Sequence, residues 1–131
     1  MNILADTHIV VWSLDINSPL SARHREILQD TRNRIVTSYV SLMELAIKKT
    51  IGKLPDFVPQ LKEIASVWLK NGFEILPLSE NHIFSYTSVP FFQEHRDPFD
   101  RLIIAIAKEE DFVIMTDDSK FRLYTPFIQL I

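Results

Sequence analysis

Short apolar runs along the chain alternate with segments in which apolar residues recur at helical spacing. The runs are predicted as strands at residues 2–5, 34–38, 73–78, 112–116 and 127–131. Helix-start and helix-stop residues frame the segments between them. Helices are predicted after Asp6, from Ser18-Pro19 to about Asp30, from Ser41 to about Ile51, over Leu61–Lys70, after Ser79, from Asp97 to about Glu110, and near Ser119–Tyr124.

Alternating strands and helices favour an α/β fold with a central parallel sheet of about five strands, right-handed crossovers and flanking helices. The 131 residues fit one domain covering 1–131. Pro55 and Pro59 are predicted to bracket a connection.

Acidic residues stand at the edges of four apolar segments. Asp6 and the pair Asp117/Asp118 follow predicted strands, and Glu44 and Asp100 fall in the first turns of predicted helices. Ligands of open parallel sheets bind beyond the carboxyl ends of the strands. All four segments are therefore expected to face one edge of the sheet.

Each acid taken alone also has a purely structural interpretation. Ser41-x-x-Glu44 matches a capping box, Glu44 and Lys48 are spaced for an i,i+4 pair, and Asp97-Pro98 matches a helix start with Asp100 close behind. Capping does not explain why so many acids share one predicted edge. Clustered carboxylates repel one another, so a divalent cation shared among them explains the pattern better.

Composition narrows the chemistry. The chain has no cysteine, which excludes disulfides, thiolate zinc sites and cysteine nucleophiles, and its 2 glycines leave little room for a phosphate-binding loop. Oxygen ligands without cysteine or paired histidines favour Mg²⁺ or Mn²⁺. The apolar run 102–107 is too short to span a bilayer, so we expect no membrane insertion and a cytoplasmic protein. The net charge of −3 does not decide for or against nucleic acid.

Four blocks of sequence resemble the PIN domain, and in particular the VapC-like ribonuclease toxins of type II toxin–antitoxin modules. The blocks span the whole chain and occur in the order and at the spacing of that family. They are Leu4-Ala5-Asp6-Thr7-His8 with Trp12, Ser38-x-x-Ser41-x-x-Glu44-Leu45 with Lys48 and Gly52-Lys53-Leu54, residues 95–105, and Thr116-Asp117-Asp118 with Phe121 and Tyr124.

The resemblance implies that Asp6, Glu44, Asp100 and Asp118 are the catalytic acids and the ligands of one or two Mg²⁺ or Mn²⁺ ions. Asp117 is a neighbour that could substitute for Asp118 or assist it. Thr116 matches a hydroxyl residue that often accompanies the site, although a strand-end threonine is an equally good interpretation.

The roles of other polar residues near these blocks remain open. Arg101 could contact phosphate or pair with Asp97. His8 and His95 are candidates for acid–base chemistry, although lone histidines beside acidic clusters are more often surface or supporting groups. The lysines of the second block could contact RNA, although a solvated helix face is the simpler interpretation.

The resemblance further implies a metal-dependent endoribonuclease that leaves 5′-phosphate and 3′-hydroxyl ends, a VapB-like antitoxin as cognate partner, and a homodimer. The choice of RNA as substrate depends on the resemblance alone. The alternative is a catalytically silent PIN-like binding module whose acids are caps or weak metal ligands. An aspartyl-phosphate phosphatase is disfavoured because its second aspartate would stand at His8.

Overall fold

The computed structural model describes residues 1–54, 56 and 58–131, so Pro55, one of the two prolines predicted to bracket a connection, lies outside the described residues. These residues form four strands and six α-helices, with two helices between each strand and the next, and a 3₁₀ helix follows the last strand. In chain order they are β1 (Asn2–Ala5), α1 (Thr7–Trp12), α2 (Ala22–Gln29), β2 (Arg34–Ser38), α3 (Tyr39–Thr50), α4 (Leu61–Lys70), β3 (Glu74–Leu76), α5 (Glu80–Tyr86), α6 (Pro98–Glu110), β4 (Val113–Met115) and the 3₁₀ helix (Ser119–Tyr124).

The strands form one parallel sheet in the order β3-β2-β1-β4. The chain moves outward from β1 through β2 to β3, and then crosses back to add β4 on the other side of β1. The topological switch point therefore lies between β1 and β4. Ligand sites of open parallel sheets form beyond the strand ends at such a point.

Side chains on the two faces of the sheet belong to two separate cores, because successive strand residues point in opposite directions. On one face, Leu4 packs with Val36, Ile114 and the fully buried centre of α6. On the other, Ile3 packs with buried residues of α1, α3 and α4, among them Ile9, Leu45 and Trp68. Strands buried on both faces are typical of parallel sheets, and they hold the strand ends rigidly in place.

The predicted α/β architecture is confirmed, with four strands in place of about five. The predicted strand 127–131 is reduced to one parallel bridge between Leu130 and Ile114. The turn after the 3₁₀ helix continues to Ile128, whose N–H donates to the carbonyl of Tyr124. Few residues are then left to pair with β4.

Two helix starts differ from prediction because a different serine provides the cap. Helix α2 begins after Ser21, whose hydroxyl accepts from the His24 N–H, and not at Ser18-Pro19. Helix α3 begins after Ser38, whose hydroxyl accepts from the Val40 N–H, and not at Ser41. The predicted capping box of Ser41 and Glu44 is therefore wrong, and Glu44 lies beyond the first turn. The start and end predicted for α6 are confirmed, with Asp97 as its N-cap.

Within the described part of the chain, we find no helix with the length and apolar character needed to cross a membrane.

Trp68 provides a test of the core packed by α4. Its ring is fully buried, and its indole N–H donates to the Val10 carbonyl of α1 at 3.2 Å. We expect Trp68→Phe to lower the free energy of unfolding by about 1–3 kcal/mol, through the lost hydrogen bond and the smaller ring. Chemical denaturation measures this loss in the free energy of unfolding. Trp12→Phe is the control, because Trp12 is half-buried and packs beside the exposed His8, and an equal loss there would contradict this account of Trp68.

Candidate active site

Asp6 lies at the switch point, directly after β1, where its backbone N–H donates to the Met115 carbonyl of β4 at 3.0 Å. Its side chain caps α1 by accepting from the Ile9 N–H at 2.9 Å, and it also accepts a hydrogen bond from the Thr116 hydroxyl. Burial raises the pKa of Asp6 against the lowering effect of these hydrogen bonds, and the nearby charge of Asp118 raises it further. Asp6 is thus a rigidly held carboxylate in a place that penalises its charge.

Glu44 reaches the same region from α3. Its Oε1 accepts from the Thr7 hydroxyl at 3.4 Å, and the hydroxyls of Thr7 and Ser41 are hydrogen-bonded to each other at 2.9 Å. Its Oε2 lies 3.2 Å from Lys48 Nζ, which confirms the predicted i,i+4 pair. The position of Glu44 depends on these contacts between α1 and α3.

Asp100 stands in the first turn of α6, as predicted. Its Oδ2 lies 2.8 Å from Nε2 of the buried His95. Burial raises the pKa of Asp100 to about 6; the hydrogen bond with His95 opposes this shift, whereas the charges of Asp97 and Glu44 add to it.

The ring of His95 is fixed by a second contact. Its Nδ1 lies 3.0 Å from the Tyr124 hydroxyl, which donates to the carbonyl of His95 itself at 3.1 Å. With the Tyr124 proton used in this way, Nδ1–H is the donor to Tyr124, and Nε2 is left to share one proton with Asp100.

Asp118 completes the group from the loop after β4. Its side chain caps the 3₁₀ helix by accepting from the Lys120 N–H at 2.9 Å, and its own N–H donates to the Thr116 hydroxyl at 3.1 Å. Ligand atoms of His95, Asp100 and Asp118 lie within 4.8 Å of one another. Asp117 is exposed and outside that group.

The structure therefore brings together Asp6, Thr116 and Asp118 at the ends of the adjacent strands β1 and β4, and groups Asp118 with Asp100. Glu44 contacts Thr7, the residue after Asp6. The structure places Arg101 elsewhere. The Arg101 guanidinium is buried and donates to the carbonyls of Pro90 and Val89 at 2.7 and 3.1 Å, so its contacts are with the loop before α6 and not with Asp97.

The sequence gives little indication of the contacts that His95 and Thr7 make in the site. His95 precedes the Asp97 cap by two residues, so the turn into α6 brings it back to Asp100. Only its spacing from Asp100 in the third block indicates this role. Thr7 follows Asp6 directly, but its bonds to α3 depend on how the two helices pack.

The donor set fits a hard divalent cation. Carboxylate oxygens suit Mg²⁺ or Mn²⁺ better than zinc, which prefers sulfur and several histidines. Burial raises the pKa values of Asp6 and Asp100, so holding their negative charges here without a cation is unfavourable. A cation would relieve this penalty.

Comparisons with known proteins agree with the fold. A family model described as PIN domain matches residues 3–125. No curated protein gives a significant match. Among solved structures, a chain of VapBC2 from Rickettsia felis, bound to a DNA fragment from its promoter, is similar with a TM-score of 0.70 and 22% identity, covering 100% of this chain and 98% of that one. A chain of VapBC-5 from Mycobacterium tuberculosis gives a TM-score of 0.68 at 15% identity, covering 99% and 97%.

We expect Asp6→Asn to raise the melting temperature of the metal-free protein at pH 7–8 by about 3 °C or more. An asparagine still accepts from the Ile9 N–H and donates to Thr116, but it carries no buried charge.

In wild type, the raised pKa values of Asp6 and Asp100 mean that the folded state binds more protons than the unfolded state. Stability in EDTA should then fall as pH rises from about 4 through about 6. Thermal denaturation against pH measures both effects.

The control for this prediction is Asp97→Asn, because Asp97 is exposed and asparagine keeps the cap on α6. Its melting temperature should stay near that of wild type. A lower melting temperature for Asp6→Asn in EDTA would mean that the carboxylate is structural.

Proposed function

Since the chain belongs to the PIN domain family, we propose that it is a Mg²⁺- or Mn²⁺-dependent endoribonuclease and the toxin of a toxin–antitoxin pair. The observation that carries this proposal is the convergence of acids from four segments on one sheet edge, where burial raises the pKa of both Asp6 and Asp100. A purely structural cluster would gain nothing from this penalty.

In this proposal the metal ligands are Asp6, Asp100 and Asp118, with Glu44 acting directly or through a water molecule. When bound, the cation supplies positive charge for the phosphodiester and lowers the pKa of a coordinated water. The supporting contacts fix the oxygens in advance: Thr116 holds Asp6, Thr7 and Lys48 hold Glu44, and Tyr124 fixes the ring of His95.

His95 positions Asp100, because its Nε2 lies 2.8 Å from Asp100 Oδ2. Burial raises the pKa of Asp100 only to about 6, so this carboxylate is largely ionised and ready to hold a cation at neutral pH. Hydrolysis at phosphorus would leave 5′-phosphate and 3′-hydroxyl ends, as the family resemblance implies.

The choice of RNA, the partner and the compartment rest on the family and on the similar structures. Those structures are VapBC complexes, so we propose that a VapB-like antitoxin binds this chain and that both act in the cytoplasm, where their RNA substrate is found.

We also propose that the protein forms a homodimer through an apolar stripe on α3. Tyr39, Met43 and Ile47 of α3, and Ile51 at its C-cap, follow one another at intervals of four residues, and all are exposed. Residues at this spacing lie on one face of a helix, and a contiguous exposed apolar face marks an interaction surface.

One observation favours the alternative of a silent binding module. Asp6 and Asp118 each accept a backbone N–H at a helix start, so capping alone accounts for part of their role. Metal-dependent turnover of RNA separates the two functions, because a capping role requires no cation.

We expect Asp100→Asn and Asp118→Asn to reduce RNA cleavage by about 100-fold or more, since each removes a charged ligand. Asp97→Asn and Asp117→Asn are the matched controls. They make the same chemical change at exposed neighbouring acids outside the cluster, and should leave the rate within about threefold. The assay is cleavage of end-labelled total RNA in Mg²⁺ or Mn²⁺, with EDTA as a further control.

Activity that disappears with Asp117→Asn and survives Asp118→Asn would assign the fourth acid to Asp117. The absence of cleavage in either metal, by folded partner-free protein, would favour the binding module.

A charge on the α3 stripe tests the dimer. We expect Met43→Glu to convert the protein from dimer to monomer at micromolar concentration, because a buried, unpaired carboxylate opposes association. Light scattering after gel filtration measures the mass. Ile16→Glu is the control, since Ile16 is exposed outside the stripe. A wild-type monomer, or a dimer unaffected by Met43→Glu, would contradict this interface.

A further inference from the structure

A cavity of about 340 Å³ opens next to the acidic cluster, between the start of α2 and the segment that follows β4. Asp118 lines this cavity and also belongs to the group formed with His95 and Asp100. The volume is within the roughly 300–1,000 Å³ found for ligand sites. Its lining residues are Arg23, His24, Thr116, Asp117, Asp118, Ser119, Arg122, Leu130 and Ile131.

Two arginines from separate elements face this cavity. Arg23 is the second residue of α2, and Arg122 belongs to the 3₁₀ helix. Both are exposed, and among the residues that the structure describes neither side chain forms an ion pair or a hydrogen bond, although Asp117 and Asp118 line the same cavity. By contrast, Arg32 and Arg34 are held by carboxylates at 2.7 Å.

The wall of the cavity also includes the buried His24 and the partly buried aliphatic residues Leu130 and Ile131. His24 is 8% exposed, and its Nδ1 has no hydrogen-bond partner within the described part of the chain. A buried polar atom without a partner is destabilising and uncommon in folded proteins. Leu130 supplies aliphatic surface beside it. The cavity thus combines free guanidinium groups with a wall suited to a sugar or a base.

We propose that this cavity holds the nucleotide next to the phosphodiester that is cleaved, with Arg23 and Arg122 binding phosphate oxygens of the RNA backbone. The inference rests on the proposed nuclease function and adds its substrate-positioning residues. A strand with one phosphodiester at the acids must bring its neighbouring phosphates close to the same carboxylates, which repel them. Guanidinium groups one step away compensate for this repulsion, because their planar donors match phosphate oxygens.

The tests are Arg23→Ala, Arg122→Ala and the double variant, with Arg32→Ala as the matched loss of one positive charge at a surface ion pair. Binding is measured by fluorescence anisotropy with a fluorescein-labelled pool of 12-nucleotide single-stranded RNA, all proteins carrying Asp100→Asn to prevent cleavage. Steady-state cleavage of the same pool is measured with Asp100 intact. Melting temperatures equal to that of the parent protein establish that substituting these exposed arginines leaves the fold unchanged.

Each cavity variant is expected to weaken RNA binding about five- to tenfold and to reduce the slope of log K against log salt by about 0.7, the value for one phosphate contact on a single strand. In cleavage, KM should rise while kcat changes less than about twofold. Arg23→Lys should retain most of the salt slope, since it keeps the charge. Arg32→Ala should match its parent protein in every measurement.

Binding and salt slopes in the double variant equal to those of Arg32→Ala would overturn the assignment, whether or not the protein cleaves RNA. A wild-type protein that cleaves nothing, but binds RNA in a manner that depends on Arg23 and Arg122, would uphold the cavity as a phosphate site and remove the nuclease function. The two proposals can therefore fail separately.

Discussion

The burial of carboxylates at one edge of the sheet, to which their mutual repulsion adds, is the constraint on which this site depends. Asp6 is buried directly after β1, and Asp118 follows β4 closely enough for its charge to raise the pKa of Asp6. This arrangement follows from the strand order, because β4 returns to the far side of β1 and brings two strand ends together. Packing on both faces of the sheet keeps these ends from moving apart.

Each acid is retained at this edge by a local contact that replaces part of the lost hydration. Backbone N–H groups hold Asp6 and Asp118, hydroxyl and ammonium groups hold Glu44, and an imidazole holds Asp100. These contacts fix the positions of the oxygens but do not neutralise the total charge. The site is therefore rigid and electrostatically unfavourable at neutral pH, which is the condition that a divalent cation relieves.

Local sequence rules predicted the parts of the fold that depend on local contacts. The limits of α6 followed from Asp97-Pro98 at its start, and the placement of Asp6 followed from a strand leading into a helix. The predicted start of α3 was wrong because Ser38 and Ser41 are both good caps, and which of them caps the helix depends on where β2 ends. Helical periodicity cannot separate such neighbours.

The contacts that the sequence did not predict are those that depend on the tertiary structure. The pairing of His95 with Asp100 requires Tyr124, 29 residues away, to fix the ring, and Arg101 is directed to the carbonyls of the preceding loop. The last predicted strand was lost because the turn before it extends to Ile128. The sequence therefore predicted which acids lie at this edge of the sheet better than it predicted the residues that orient them.

The most direct test of this account is a calorimetric titration of Mn²⁺ into the metal-free protein near pH 6, in two buffers with different heats of ionisation. The account predicts saturable binding with release of protons, because Asp100, with a pKa of about 6, is partly protonated at this pH and the cation displaces that proton. Proton release should fall in Asp100→Asn, and affinity should fall with it. The absence of saturable binding, or binding without proton release, would contradict the central claim.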